Sequence, residues 1–97
     1  MADPQMTVRR DDARRRYELM IDDVVAGVTT FHPDGNHTIV VPHTEIDPTR
    51  RGQGLGAMMV RAVLDDLAAR GESVRPDCPF VAEFIDGHPE YRRLLAE

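Results

Sequence analysis

Polar and apolar residues alternate along Arg15-Arg16-Tyr17-Glu18-Leu19-Met20-Ile21, which puts Tyr17, Leu19 and Ile21 on one face at a period of two and predicts a β-strand. Asp22-Asp23 then turns the chain into the β-branched run Val24 to Phe31, so the two runs read as a hairpin. Pro33-Asp34-Gly35-Asn36 is a strong turn signal, and Thr38-Ile39-Val40-Val41-Pro42-His43 after it is a third β-rich run. Residues 8 to 44 thus read as an antiparallel meander, with a short strand around Thr7 to Arg10 ahead of it.

After Pro48 the period changes. Leu55, Met58, Met59, Ala62, Val63 and Leu67 recur at spacings of three and four, with Arg61, Asp65, Asp66 and Arg70 elsewhere on the wheel. This predicts one long helix over about 53 to 70, closed by Gly71. Asp66 and Arg70 form an acid-first pair one turn apart, which supports its last turn. Ser73-Val74-Arg75-Pro76 suits a short strand, Phe80 to Ile85 one or two helical turns, and His88-Pro89-Glu90 the start of a final short helix.

A chain of 97 residues makes one domain, and 41% hydrophobic with 30% charged residues is the balance of a folded globular protein. The net charge of −5 with no long basic block argues against nucleic-acid binding, which requires several phosphates to be neutralised together. All 12 basic residues are arginine, so neither a lysine-dependent phosphate loop nor a Schiff-base enzyme can be built. The lone Cys78 allows no internal disulfide and no paired-cysteine zinc site. The start carries no apolar targeting run and no stretch is long enough to span a bilayer, so the expectation is a cytoplasmic protein without a membrane partner. The acidic excess lies in residues 21 to 49, which hold five acids and no arginine.

Between a β-run and the long helix lies Arg50-Arg51-Gly52-Gln53-Gly54-Leu55-Gly56. Glycines at such a junction allow close backbone approach to a ligand, and the helix N-terminus adds free N–H groups and partial positive charge, a combination that binds phosphate or pyrophosphate. A turn needing positive φ explains part of the pattern; three glycines in five residues, after two arginines and opening an amphipathic helix, exceed what a turn needs and favour an anion site. A dinucleotide-binding reading fits less well, because that fingerprint belongs to a parallel βαβ unit.

Arg51-Gly52-Gln53-Gly54-Leu55-Gly56 resembles the Gln/Arg-x-x-Gly-x-Gly/Ala signature of the GNAT superfamily of acetyl-CoA-dependent N-acetyltransferases. The order of strands, loop, long helix, short strand and terminal helix, with His43-Thr44-Glu45, Pro76-x-Cys78-Pro79-Phe80 and His88-Pro89-Glu90-Tyr91, resembles its minimal one-domain subclass over most of residues 8 to 95. The resemblance implies a mixed α/β GNAT-like fold over residues 1 to 97: an antiparallel sheet of about four strands plus a short added strand, one long central helix and short C-terminal helices, with residues 1 to 6 as a flexible start. It implies acetyl-CoA as cosubstrate, no metal, the coenzyme pyrophosphate on the backbone of Arg51, Gly52, Gln53, Gly54, Leu55 and Gly56, and the pantetheine along the strand end that includes Thr44 and Ile46.

Acetyl transfer to an amine calls for a base for the ammonium, donors for the oxyanion and an acid for the leaving thiolate. Glu45 is the leading base candidate if partly buried beside the loop, or else a solvated acid at a strand end. His43, two residues away, faces the same side if the strand is regular and titrates near neutrality, although a histidine in a β-run is more often packed. Cys78 is either a small buried hydrophobe or, between Pro76 and Pro79, a thiol lining the site. By the same resemblance, many relatives in the wider superfamily carry a tyrosine six or seven residues further on as the acid; here those positions are Phe84 and Ile85, which leaves Cys78, Tyr91 or water for the role. Tyr91 has the simpler alternative of packing its ring on the core. The expected activity is transfer of acetyl to a primary amine of a small molecule or protein, and the rival is a non-catalytic coenzyme A binding module. So short a chain leaves the acceptor site open, or completed by a second subunit in a homodimer.

Overall fold

The computed structural model describes residues 6–96. Strands β1 (Met6–Asp11), β2 (Arg16–Ile21), β3 (Val24–Pro33) and β4 (Thr38–Ile46) follow one another, then α1 (Leu55–Ala69), β5 (Ser73–Arg75) and α2 (Pro79–Gly87). Single 3-10 segments occupy Pro48–Arg50 and Pro89–Leu94. Of the expected flexible start, residues 1 to 5 lie outside the described residues and Met6 is the first residue of β1.

The sheet has the order β1-β2-β3-β4-β5, antiparallel up to β4 and parallel between β4 and β5. That arrangement follows from the connections. Asp22 and Asp23 both take positive φ (49° and 68°), the geometry that lets a two-residue turn match strand twist, and Gly35 (φ 80°) supplies the next hairpin. A parallel partner for β4 needs a long crossover, which α1 provides.

Tyr17, Leu19 and Ile21 pack with Phe31, Ile39 and Val41 against Leu55, Met59, Val63 and Leu67 of α1. The buried stripe of α1 is turned from the one expected: Val60 and Leu64 are buried while Met58 is exposed. The cause is α2 and the 3-10 segment beyond it, whose Val81, Phe84, Ile85, Tyr91 and Leu94 belong to the same core and cover that flank of the helix. Among the described residues no helix is long and apolar enough to cross a membrane.

The sheet has one irregularity that positions the site. Thr30 pairs with His43 but His32 pairs with Val40, so Val41 and Pro42 together stand opposite Phe31, a β-bulge. The bulge brings Thr44 and Ile46 onto the α1 face and leaves His43 and Glu45 on the opposite one; Ile46 packs against the core, and a Cβ on Gly27, its cross-strand neighbour, would meet Ile46 and Met59.

Candidate active site

The segment after β4 is built to end one element and start another with little side-chain help. Asp47 accepts hydrogen bonds from the Thr49 N–H and hydroxyl, both 2.9 Å, which cap the 3-10 turn and hold its carboxyl below the ordinary range. Gly52 (φ 82°) and Gly54 (φ 74°) then take the left-handed conformation, and no side chain caps α1 at Gly54. No acid occupies the first turn either, so the leading N–H groups of α1 are left for another acceptor. A Cβ at either glycine would meet nothing within 4 Å, so these positions are glycine for their backbone angles and for the open space in front of them. Gly56 differs: a Cβ there would sit 2.9 Å from the Phe80 ring, which lies across the helix start.

These residues enclose a cavity of about 360 Å³ lined by Ile46, Arg50, Arg51, Gly52, Gly54, Leu55, Gly56 and Phe80. Of the expected cofactor residues, Ile46, Arg51, Gly52, Gly54, Leu55 and Gly56 are brought together here, whereas Gln53 is exposed and does not line the cavity. A smaller cavity of about 230 Å³, lined by Val25, Gly27, Val28, Glu45, Asp47 and also Ile46, adjoins it. Ile46 stands between the two.

The open edge of β4 extends the larger cavity into the sheet. β5 pairs only with Thr38, Ile39 and Val40, and the last link between the two chain segments is the Cys78 N–H donated to the Val41 carbonyl at 2.9 Å. Pro42 next offers no N–H, and Pro76 ends β5, so the strands part. On the other side Asp47 donates its N–H to Ala26, and because bonded pairs alternate in an antiparallel ladder, Glu45 and His43 also direct their backbone groups to β3. Thr44 and Ile46 therefore direct theirs away from β3, into the gap left by β5.

His43 and Glu45 lie together on the face opposite α1, His43 Nε2 3.6 Å from Glu45 Oε2. Both side chains are exposed, 62% and 72%, so the partial burial expected for Glu45 is absent; the adjacent cavity is open and none of the described elements covers the carboxylate. Cys78 is buried among core residues just after the parting of β4 and β5, which places its backbone, not an exposed thiol, at the end of the gap. Tyr91 stands apart from the other candidates. Its hydroxyl donates to Asp65 (2.7 Å) and accepts from Arg61 (3.2 Å), and burial followed by the bond to Asp65 pushes its pKa upward. Asp65 is about 16 Å along the α1 axis from Gly54 at 1.5 Å per residue. Among the described residues no set of His, Cys, Asp or Glu is grouped to hold a metal ion.

Two residues at the site escaped the sequence reading. Phe80 is 45% exposed yet lines the larger cavity; an aromatic directly after Cys78-Pro79 was the available signal, and its position opposite Gly56 is set only by the fold. Thr29, fully buried, bonds its hydroxyl to that of Thr44 at 3.2 Å, and nothing in a β-branched run distinguishes such a threonine from its neighbours.

Comparison with known proteins bears on this geometry. The sequence model of the GCN5-related N-acetyl-transferase family matches residues 16–94. Among solved structures, a GCN5-like candidate N-acetyltransferase from Staphylococcus aureus superposes with a TM-score of 0.70 at 15% identity, over 93% of this chain and 87% of that one. The ribosomal-protein-alanine N-acetyltransferase from Brucella melitensis biovar Abortus 2308 gives 0.57 at 22% identity, and a candidate acetyltransferase from Deinococcus radiodurans R1 gives 0.52 at 27%, each over 84% of this chain. This chain spans only 61% and 55% of the length of those two. No curated protein matches it significantly.

Proposed function

We propose, for a chain that belongs to the GCN5-related N-acetyl-transferase family and has its fold, that it binds acetyl-CoA in the cavity at the start of α1 and along the open edge of β4, and acetylates a primary amine. The observation that carries this reading is the continuity of the two features. Ile46 lines the loop cavity and is itself one of the two residues whose backbone faces the gap between β4 and β5. When bound, acetyl-CoA supplies an acetyl group activated as a thioester.

The residues present fit such a ligand. Uncapped N–H groups at the start of α1, two left-handed glycines with open space before them, and Arg50 and Arg51 on the cavity wall suit a pyrophosphate. The free backbone groups of Thr44 and Ile46 suit an amide-bearing arm lying beside a strand. Phe80 covers the helix start and keeps water from one side of the cavity.

The acceptor amine then approaches from the face opposite α1, where Glu45 and His43 are exposed as a pair. Either group takes the ammonium proton, and the exposed Glu45 carboxylate attracts a cation to that face. Tyr91, tied to Asp65 and Arg61, is left to packing, and with Phe84 and Ile85 in place of a tyrosine and the Cys78 thiol buried in the core, the thiolate is protonated by water. The cell compartment is the cytoplasm, and the open acceptor face is where a second subunit would complete the site.

Calorimetric titration with acetyl-CoA and desulfo-CoA, followed by acetyl-CoA consumption with polyamines, peptide lysines and aminoglycosides, tests the reading. Binding with turnover on one of these amines is the expected result. Failure of both ligands to bind overturns the cofactor site, and binding without turnover on any amine shifts the reading to a coenzyme A binding module.

A further inference from the structure

Thr29 is completely buried, and among the described residues its hydroxyl has one hydrogen-bond partner, the Thr44 hydroxyl at 3.2 Å. From distance alone either oxygen can be the donor. Hydrogen-bond accounting decides the direction. A buried hydroxyl that accepts but does not donate leaves its proton without an acceptor, which costs more than a spare lone pair; among the described residues Thr29 has no other acceptor, so it donates to Thr44. Thr44 thereby spends a lone pair on Thr29 and keeps its own proton to give.

The surroundings of Thr44 say where that proton goes. Thr44 is only half-buried, so one side of its hydroxyl is open. Across the bulge it shares the α1 face with Ile46, and it lies between Ile46 of the loop cavity and the Val41–Cys78 link that closes the gap. A ligand running from that cavity into the gap along β4 passes over this hydroxyl. The pantetheine arm of an acyl-coenzyme A carries amide carbonyls and ends in a thioester carbonyl, all acceptors and none of them charged.

We propose that Thr29 is a positioning residue that fixes the Thr44 hydroxyl as a donor to a carbonyl oxygen of the bound acyl-pantetheine arm, a role that rests on the acetyl-CoA reading above. Two threonines from neighbouring strands thus form a two-step hydrogen-bond chain, with the buried member setting the direction and the half-buried member touching the ligand. Thr29 Oγ1 and Thr44 Oγ1 are held opposite each other by strand register, so the direction needs no ligand to establish it.

The test is calorimetry with acetyl-CoA and with coenzyme A on the wild type, Thr44→Val, Thr29→Val, Thr29→Ser and the Thr29→Val/Thr44→Val double variant, with circular dichroism to confirm folding. All of these keep β-branching or a small side chain, so the strands survive. Thr44→Val is expected to weaken binding about five- to tenfold, the worth of one neutral hydrogen bond. Thr29→Val is expected to weaken it about threefold or more by freeing the Thr44 hydroxyl to rotate, Thr29→Ser to restore it, and the double variant to match Thr44→Val. Equal losses with both ligands place the bond on an amide carbonyl; a loss confined to acetyl-CoA places it on the thioester. If wild type binds while Thr44→Val binds as tightly, or if Thr29→Val and Thr44→Val losses simply add, the proposal falls and the cofactor reading stands. Absence of wild-type binding overturns both.

Discussion

The two ends of α1 treat their polar groups in opposite ways. At its C-terminal end, Arg10 from β1 lies over the Tyr17 and Phe31 rings and donates to Glu72 (2.6 Å), Asp12 (2.7 Å) and Tyr17 (3.4 Å), while the Tyr17 hydroxyl donates to Asp66. Burial works against the Arg10 charge, and its hydrogen bonds to Glu72 and Asp12 outweigh that and strengthen its hold on the proton; burial and then Asp66 push the Tyr17 hydroxyl upward. At the N-terminal end, the helix starts from a glycine with no cap, and the neighbouring strand edge carries unmatched backbone groups. Folding free energy is drawn from a satisfied network, whereas donors left open on a rigid frame are available to a ligand. The first end should therefore govern stability and the second binding.

The largest effect that would break this contrast is at Arg10. Its side chain is only 10% exposed, so Arg10→Ala strands Glu72 and uncovers two aromatic rings, and a stability loss of about 3 kcal/mol is expected from urea unfolding. Acetyl-CoA affinity, measured at a temperature where the variant is folded, should be unchanged. A loss of binding comparable to the loss of stability would show that the two ends are not separate.

Next comes Gly54→Val. Because a Cβ there meets no protein atom, crowding is not the problem; the φ of 74° is, together with intrusion into the cavity. The variant should lose about 1–2 kcal/mol of stability through backbone strain and bind acetyl-CoA more than about tenfold more weakly. Unchanged affinity by calorimetry would refute the placement of the pyrophosphate.

A smaller effect is expected for Tyr91→Phe, which removes a hydroxyl bonded to Asp65 and Arg61. Stability should fall by about 1 kcal/mol and turnover should be unaltered. A large fall in the rate of acetyl transfer with little change in stability would return Tyr91 to the reaction.

The smallest is a pH effect at Glu18, which is buried on the sheet face opposite α1. Hydrogen bonds from Arg9 (2.8 Å) and then Arg16 (2.6 Å) hold its carboxyl below the ordinary range. A carboxyl with a depressed folded-state pKa stabilises fully above its unfolded value and loses that contribution as pH falls through the folded one. The urea midpoint of wild type should therefore drop more steeply below about pH 4.5 than that of Glu18→Gln. Parallel pH profiles would remove Glu18 from the account.

How much was legible in the sequence varied with the range of the interaction. The meander, its turns, the long helix and the Gly-rich loop follow from local periods and backbone preferences, and all were found where the residues predicted them. The His43–Glu45 pairing was also legible, because residues two apart in a strand share a face. The choice between the two readings of Tyr91, proton donor or packed ring, was not legible, because its distance from Gly54 depends on how the last segment returns along α1. The choice between a buried and a site-lining Cys78 was open for the same cause: Val41, Val81 and the rest of the core close around it only in three dimensions.

By itself the sequence determined the succession of strands and helix, the left-handed glycines before α1, and the acidic excess of residues 21 to 49, since each depends on neighbours along the chain. Only the tertiary structure decided that the bulge at Val41-Pro42 reverses which residues of β4 face the gap, that β5 stops short of it, and that Thr29 meets Thr44. Those features arise from register between strands, and a one-residue change in register moves every side chain to the other face while leaving the local pattern of the sequence untouched.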